Sequence, residues 1–259
     1  MIKTAIYGIT GKMGSMVLQN LAKNSVFEVV GGVSTDHIGE KISDVFKIET
    51  LDALIYRDIK ELIEKTDFDL LIDFSRADCA FPSIRQSLAK GKKIVSGTTG
   101  FTDDEIALLK NDVEKYSTSL LIAPNFCIGA VLMMKFSQAA AKHFSGCEII
   151  ELHHTQKADS PSGTARLTAE KIALHSKLPA YQVENGREYR GGDSSGIRVH
   201  SIRLPGMLAH QEVIFGNYGE VFRIRHDSSD RNSFMKGIYI AIEKVIADNG
   251  FLYGIESLI

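Results

Sequence analysis

Ile2-Lys3-Thr4-Ala5-Ile6-Tyr7-Gly8-Ile9-Thr10-Gly11-Lys12-Met13-Gly14 is the stretch that decides the fold. A short apolar run ends at Gly8, and the glycines at positions 8, 11 and 14 follow it. The residues beyond predict a helix over about 11–22, with Thr10 placed to cap it. Residues 27–33 are strongly apolar and predict a second strand, completing a strand–helix–strand unit of the expected size. Glycines in such a turn let backbone approach a pyrophosphate, and the helix N-terminus supplies N–H donors. The G-x-x-G-x-x-G spacing departs from the commoner G-x-G-x-x-G and is weak by itself; the strand before it and the helix after it carry the reading. Gly8, Ile9, Thr10, Gly11, Lys12 and Met13 are therefore candidate contacts to a nicotinamide dinucleotide.

Outward from this unit the rhythm persists. Residues 70–74 predict a buried strand, 77–90 a helix and 93–95 another strand. Thr102-Asp103-Asp104-Glu105 opens a helix with a cap and an acidic first turn, and residues 119–122 predict a further strand. Strands alternating with helices imply an α/β domain with a Rossmann-like, doubly wound parallel sheet. Ligands of such sheets sit outside the carboxyl ends of the strands. That singles out Gly97, Thr98 and Thr99 after one strand, and Ala123, Pro124, Asn125 and Phe126 after the next. The Asn125 amide offers both a donor and an acceptor, suited to a carboxamide. At the end of the second strand, where a carboxylate usually grips the ribose hydroxyls, Ser34 stands, followed by Thr35 and Asp36. Serine does not repel a 2′-phosphate, and Lys12 can help with phosphate charge.

Past residue 124 the pattern changes. Residues 130–144 predict one long helix, and strand candidates follow at 147–153, 197–203, 210–216 and 220–226 with few helices between them. This favours a smaller α+β domain with an open antiparallel or mixed sheet. A helix is expected over 167–176, a polar, Gly-rich loop over 178–196, and a final helix over 234–247 that either packs on the second sheet or returns to the first domain. The expected division is 1–124 for the dinucleotide and 125–233 for the substrate.

The chemistry concentrates in Glu151-Leu152-His153-His154-Thr155-Gln156-Lys157-Ala158-Asp159-Ser160-Pro161-Ser162-Gly163-Thr164-Ala165. Imidazole moves protons near neutral pH, and lysine offers a cation or a proton. Ser162, Gly163 and Thr164, opening an Ala-rich segment, offer hydroxyls and backbone N–H groups to a carboxylate or phosphate. His153 and Lys157 are the candidate proton donors, with His154 beside them as an anion contact. Adjacent strand residues point to opposite faces, so the strand is expected to end near His153. Asp159 suits an orienting or ion-pair role. Adjacent histidines without a nearby Cys or a Glu-x-x-His arrangement do not make a zinc site, so no metal is expected. His200, His210 and His226 read as structural or interfacial.

The chain has 259 residues, 44% hydrophobic and 24% charged, with a formal net charge of −2. That is room for one large domain or two modest ones, and nothing global suggests nucleic-acid or membrane affinity. The three cysteines, Cys79, Cys127 and Cys147, form no C-x-x-C pair and read as reduced thiols of a cytoplasmic protein. No signal peptide is evident, and no run approaches the roughly 18–20 apolar residues of a membrane span.

Five motifs taken together resemble the 4-hydroxy-tetrahydrodipicolinate reductase (dihydrodipicolinate reductase) family. They are Gly8-x-x-Gly11-Lys12-Met13-Gly14; Gly97-Thr98-Thr99-Gly100-Phe101; Ala123-Pro124-Asn125-Phe126; the His153-His154-x-x-Lys157 and Pro161-Ser162-Gly163-Thr164-Ala165 block; and Leu204-Pro205-Gly206 with Ala209-His210-Gln211-Glu212-Val213. His226-Asp227-Ser228 followed by Arg231 and Ser233-Phe234 is similar too. The resemblance runs in order across nearly the whole chain. It implies that NADH or NADPH reduces a cyclic unsaturated dicarboxylate to tetrahydrodipicolinate, with loss of water from the hydroxylated substrate, in diaminopimelate and lysine synthesis. It also implies a homotetramer assembled through the second sheet, and a C-terminal segment, 234–259, that returns to the first domain. By resemblance His153 matches the catalytic acid and Lys157 the second proton donor. His154, Gly163 and Thr164 match substrate contacts, while residues 8–13, 97–99 and 123–126 match dinucleotide contacts. Lys12 stands where the family often has Arg, Ser34 where some members have an acid, Ser160 where Ala is commoner and Cys127 where Ser is usual. Two rivals remain at this point: another small dehydrogenase, which needs the glycine turn but not Lys157 with Ser162-Gly163-Thr164, and a nucleotide-sensing protein without catalysis, against which intact His153 and Lys157 argue.

Ser34 yields the first prediction: NADPH is accepted at least as well as NADH. A steady-state comparison with a strong NADH preference would contradict it.

Overall fold

The computed structural model describes residues 1–176 and 190–259. The chain divides into two compact units, Met1–Phe126 with Phe234–Ile259, and Cys127–Ser233. In chain order the elements begin β1 (Ile2–Tyr7), α1 (Lys12–Leu21), β2 (Phe27–Val33), α2 (Ile42–Phe46), β3 (Ile55–Tyr56) and α3 (Ile59–Lys65). They continue β4 (Leu70–Asp73), α4 (Ala77–Leu88), β5 (Lys93–Ser96), α5 (Asp103–Lys115), β6 (Ser119–Ile122), α6 (Ile128–Ala140) and β7 (Gly146–His153). Then come α7 (Gly163–Ala173), β8 (Gly192–Ser194), β9 (Ile197–Arg203), β10 (Ala209–Asn217), β11 (Glu220–Ser228), α8 (Met235–Ala247) and β12 (Gly250–Tyr253).

In the first unit seven strands pair in parallel, in the order β12-β6-β5-β4-β1-β2-β3. Helices cover a sheet of this kind on both faces, which is why β4 and β6 are wholly buried and read as apolar runs. Val33, Leu62, Phe68, Leu71, Ile84 and Leu109 belong to the core. Thr102 and Glu105 form the reciprocal capping box that starts α5. Thr10, by contrast, does not cap α1. Gly11 holds the N-cap position with no side-chain bond, and the Thr10 hydroxyl instead meets Ser34 Oγ at 2.6 Å. The reason is tertiary: a partner 24 residues away competes with the local cap. The short elements α2, β3 and α3 fill a stretch to which periodicity assigned nothing. After α8, which packs on β5 and β6, β12 adds a parallel edge strand beside β6, Gly250 registering with Ser119. The strand order turns back on itself at β1 and β4, whose carboxyl ends flank the crevice where such sheets take ligands.

The second unit is a mixed sheet in the order β11-β10-β7-β9-β8, with β7 and β9 parallel and the other neighbours antiparallel. Helices α6 and α7 cover one face, where Met133, Ala165, Ala169 and Ile172 pack on Ile149, Val199, Val213 and Phe215. By strand alternation the other face carries the half-buried Ile150, Leu152, Ile202 and Ile214. Two helices start earlier than their periodicity predicts. In particular α7 begins at Gly163, because Ser162 Oγ accepts from the Ala165 N–H at 3.2 Å. Of the loop expected over 178–196, residues 178–189 lie outside the described residues, and Gly192–Ser194 forms a strand paired antiparallel to β9.

The packing of α1 on its turn gives a stability prediction. A Cβ at Gly14 would lie 2.1 Å from the Gly8 carbonyl oxygen, against backbone that has no rotamer to yield. Gly14→Ala should lower unfolding free energy by about 1–3 kcal/mol, the range for overpacking. An unchanged urea midpoint would contradict this.

Candidate functional site

In the first unit, Gly8 turns the chain with φ +78°, a conformation suited to glycine. Its N–H donates to Val33 O at 2.9 Å, and a Cβ there would lie 2.5 Å from Phe74 O. Gly11 then starts α1 with no side-chain cap and no acidic residue in the first turn. The N–H groups at the start of α1, Lys12 and Met13 among them, have no intrahelical acceptor, and exposed Lys12 adds an ammonium at the same end. This bare, glycine-lined helix start fits a pyrophosphate. Ile9 is fully buried, backbone included, so the exposed part of this turn is formed by its neighbours. Ser34 is 6% exposed; besides meeting Thr10 it accepts from the Asp36 N–H at 3.1 Å, closing the end of β2.

The turns after β5 and β6 are built around Phe74. A Cβ on Gly97 would lie 2.2 Å from the Phe74 ring, and Phe126 meets that ring edge-on at 5.9 Å between centroids. Thr98 is buried and its N–H donates to Ser96 Oγ at 3.2 Å. Ala123 and Phe126 are buried, Pro124 and Asn125 half-buried, and Thr99 exposed. Sequence reasoning passed over Asp73, the last residue of β4. Its carboxylate is fully buried and accepts from Ser75 N at 3.0 Å, Ser75 Oγ at 2.5 Å and Ser96 Oγ at 2.6 Å. Burial pushes this carboxyl up, against the opposing bonds from Ser75 and Ser96. The available signal was an acid closing an otherwise apolar strand.

In the second unit, β7 ends at His153. Glu151 and His153, two residues apart, share the helix-covered face with Ile149. Glu151 is fully buried, and Oε2 takes a hydrogen bond from His153 Nδ1. Arg203, in register with His153 at the end of β9, grips the same carboxylate from NH2 to Oε1 at 2.8 Å and from NH1 to Oε2 at 3.1 Å. Burial alone would raise the Glu151 carboxyl; the bonds from His153, Arg203 and Ser201 outweigh it and hold the group at about 2. Arg203 NH2 also donates to Asp159 O at 2.8 Å, tying the loop after β7 to the strands.

Lys157 Nζ lies 2.7 Å from Asp159 Oδ1. Burial raises the Asp159 carboxyl, and Lys157 more than reverses that, leaving it below the usual range. Ser162, 2% exposed, caps α7, so its oxygen accepts from the helix; the space in front of Gly163 is open, with nothing within 4 Å of a Cβ built there. The N–H groups of Gly163 and Thr164 stand at that helix start. His154, the first residue past β7, is half-buried. His200 pairs with Glu148 at 2.7 Å, His210 with Asp227 at 2.7 Å and His226 with Cys127 Sγ at 3.3 Å. Among the described residues no cluster of His, Cys, Asp or Glu is arranged to hold a metal ion, and no helix is long and apolar enough to cross a membrane. Glu151 and Arg203 were missed as a pair because only the β7–β9 register brings them together.

Residues 2–126 match the family model for dihydrodipicolinate reductase, N-terminus, and residues 129–259 that for dihydrodipicolinate reductase, C-terminus. The 4-hydroxy-tetrahydrodipicolinate reductase of Dictyoglomus turgidum is 42% identical over 265 residues, covering 100% of this chain and 98% of that protein. The protein of the same name from a strain of Bacillus cereus is 43% identical over 262 residues with the same coverage. A solved dipicolinate-bound dihydrodipicolinate reductase from Paenisporosarcina sp. TG-14 superposes with a TM-score of 0.83 at 36% identity, with 100% of both chains covered.

The low-lying Glu151 carboxyl makes stability depend on pH. Its folded value of about 2 lies below the ordinary 4.5, so the unfolded chain takes the proton first. The stabilisation is complete above the ordinary value and is lost as pH falls through the folded one. Unfolding free energy should therefore fall more steeply with acid in the wild type than in Glu151→Gln. Parallel curves across that window would contradict this.

Proposed function

The chain belongs to the dihydrodipicolinate reductase family, and from that premise we propose how its residues divide the reaction. It is an NAD(P)H-dependent oxidoreductase that converts 4-hydroxy-tetrahydrodipicolinate to tetrahydrodipicolinate with loss of water, a step of diaminopimelate and lysine biosynthesis. The observation that carries the residue assignment is the His153 imidazole held by its Nδ1 to a fully buried carboxylate. That leaves Nε2 as the atom that delivers the proton.

NAD(P)H supplies the hydride. The hydroxylated substrate first loses its hydroxyl and a ring proton as water, which leaves a conjugated imine; hydride addition to that imine builds negative charge on the ring, and a proton must quench it. Glu151 supports the positive charge His153 carries before it donates, and Arg203 keeps Glu151 ionised and fixed. Lys157, held within reach of Asp159, stabilises the developing anion and stands as second donor. One substrate carboxylate takes the Gly163 and Thr164 N–H groups at the start of α7, with Ser162 shaping the turn and the Thr164 hydroxyl adding a donor. Lys157 adds its charge to the same carboxylate, and His154 takes part of the other. On the first unit, the backbone from Gly8 to Met13 and the Lys12 ammonium receive the pyrophosphate, and Ser34 faces the adenosine ribose. Gly97, Thr98, Thr99 and the Ala123–Phe126 turn receive the nicotinamide end, with the Asn125 amide on the carboxamide.

The second sheet suits self-association. Ile150, Leu152, Ile202 and Ile214 are half-buried on the face opposite α6 and α7, bordered by Glu212 with Arg223 and Arg225. A homotetramer through this face, in the cytoplasm where the three thiols stay reduced, completes the proposal. Light scattering should return four chain masses; a monomer at micromolar concentration would sink it.

The decisive kinetic experiment generates the unstable substrate in place and follows NADPH absorbance. His153→Ala should lower kcat by roughly 10²–10⁴, the usual contribution of a general acid. An unchanged kcat would remove His153 from the proton transfer.

A further inference from the structure

We propose that Asp73 is a cofactor-positioning residue, its buried carboxylate bracing the turns that follow β4 and β5 into one surface for the dinucleotide. The inference rests on the reading that the first unit binds NAD(P)H, and it adds a residue outside the segments assigned above.

A carboxylate with no exposed surface is costly to bury unless it is fully hydrogen-bonded, and an apolar residue of similar size would avoid that cost. Asp73 ends an apolar strand, next to Leu70, Leu71 and Ile72, all fully buried. What the carboxylate adds is therefore geometry. Oδ1 accepts from the Ser75 N–H at 3.0 Å and from Ser75 Oγ at 2.5 Å, fixing the turn that leaves β4. Oδ2 accepts from Ser96 Oγ at 2.6 Å, on the neighbouring strand where Asp73 and Ser96 are in register. Ser96 Oγ in turn accepts from the Thr98 N–H at 3.2 Å. One carboxylate thus reaches, through one hydroxyl, into the backbone of the Gly97–Thr98–Thr99 turn.

Phe74 extends the brace. It sits between Asp73 and Ser75, so it is held on both sides. Its carbonyl oxygen would lie 2.5 Å from a Cβ on Gly8, its ring 2.2 Å from a Cβ on Gly97, and Phe126 meets it edge-on at 5.9 Å. The three stretches assigned to the dinucleotide, which begin at Gly8, Gly97 and Ala123, all touch this one side chain or its backbone. A shift of Asp73 would be felt in each.

The test measures NADPH binding directly, by calorimetric titration of the intact chain without substrate. Asp73→Asn keeps the shape but turns one acceptor into a donor facing a serine already committed to the network. The Kd for NADPH should rise about tenfold, as expected for loss of one charge-assisted hydrogen bond. In turnover the change should fall more on the KM for NADPH than on the KM for the dicarboxylate or on kcat. Ser75→Ala should weaken NADPH in the same direction, and Ser75→Thr, which keeps the hydroxyl, should restore it. If circular dichroism shows Asp73→Asn unfolded, the Ser75 pair decides. Wild-type Kd in both Asp73→Asn and Ser75→Ala would overturn the proposal while leaving the reductase reading intact. A wild-type chain that binds neither NADPH nor NADH would overturn the reductase reading itself, and this inference with it.

Discussion

A carboxylate without exposed surface, gripped on both oxygens, governs the second unit. Glu151 lies third from the end of β7 on the face that α6 and α7 cover, where an uncompensated charge would cost several kcal/mol. Arg203 and His153 are its compensation. The same bonds that make the burial tolerable also do chemical positioning. They aim the imidazole, choose which of its nitrogens is committed, and, through Arg203 to Asp159 O, anchor the loop that carries Lys157. The residues with the chemistry need no separate scaffold; the ion pair is the scaffold.

The first unit uses related physics for a different end. Its sheet places the carboxyl ends of β1, β4, β5 and β6 in one row, and glycines let the turns beyond them close on each other and on Phe74. The Asp73 carboxylate, buried at the end of β4, links two of those turns through serines. Each unit thus holds a buried acid near the end of a central strand, with short hydrogen bonds running from it into functional loops. The difference lies in the partners. Charged groups hold Glu151 far below its ordinary value, whereas neutral hydroxyls leave burial dominant at Asp73.

Much of this was readable in the residues. Parallel strands covered on both faces must be apolar along their length, so β2, β4 and β6 announced themselves, and Thr102 with Glu105 marked the start of α5 at the capping-box spacing. The His153–Lys157–Thr164 block was visible because imidazole, ammonium and a helix-opening Ser-Gly-Thr seldom crowd together without use. What escaped was set by long-range register. Thr10 prefers Ser34 to the helix beside it, and Glu151 meets Arg203 across 52 residues. The start of α7 was placed late because Gly163 and Thr164 are poor helix formers, yet the Ser162 cap overrides their propensity. β12 offers only the three residues Phe251, Leu252 and Tyr253 as an apolar run, too short to declare a strand without β6 beside it.

The claim on which the proton chemistry stands is that Glu151 keeps a proton on His153 Nδ1 and leaves Nε2 for the substrate. Long-range ¹⁵N–¹H correlation of the imidazole, assigned by loss of the signal in His153→Asn, reads this directly. Once Nε2 has given up its proton, the neutral imidazole should keep its remaining proton on Nδ1, with Glu151→Gln losing that preference. A neutral His153 protonated on Nε2 with a bare Nδ1 in the wild-type chain would contradict it.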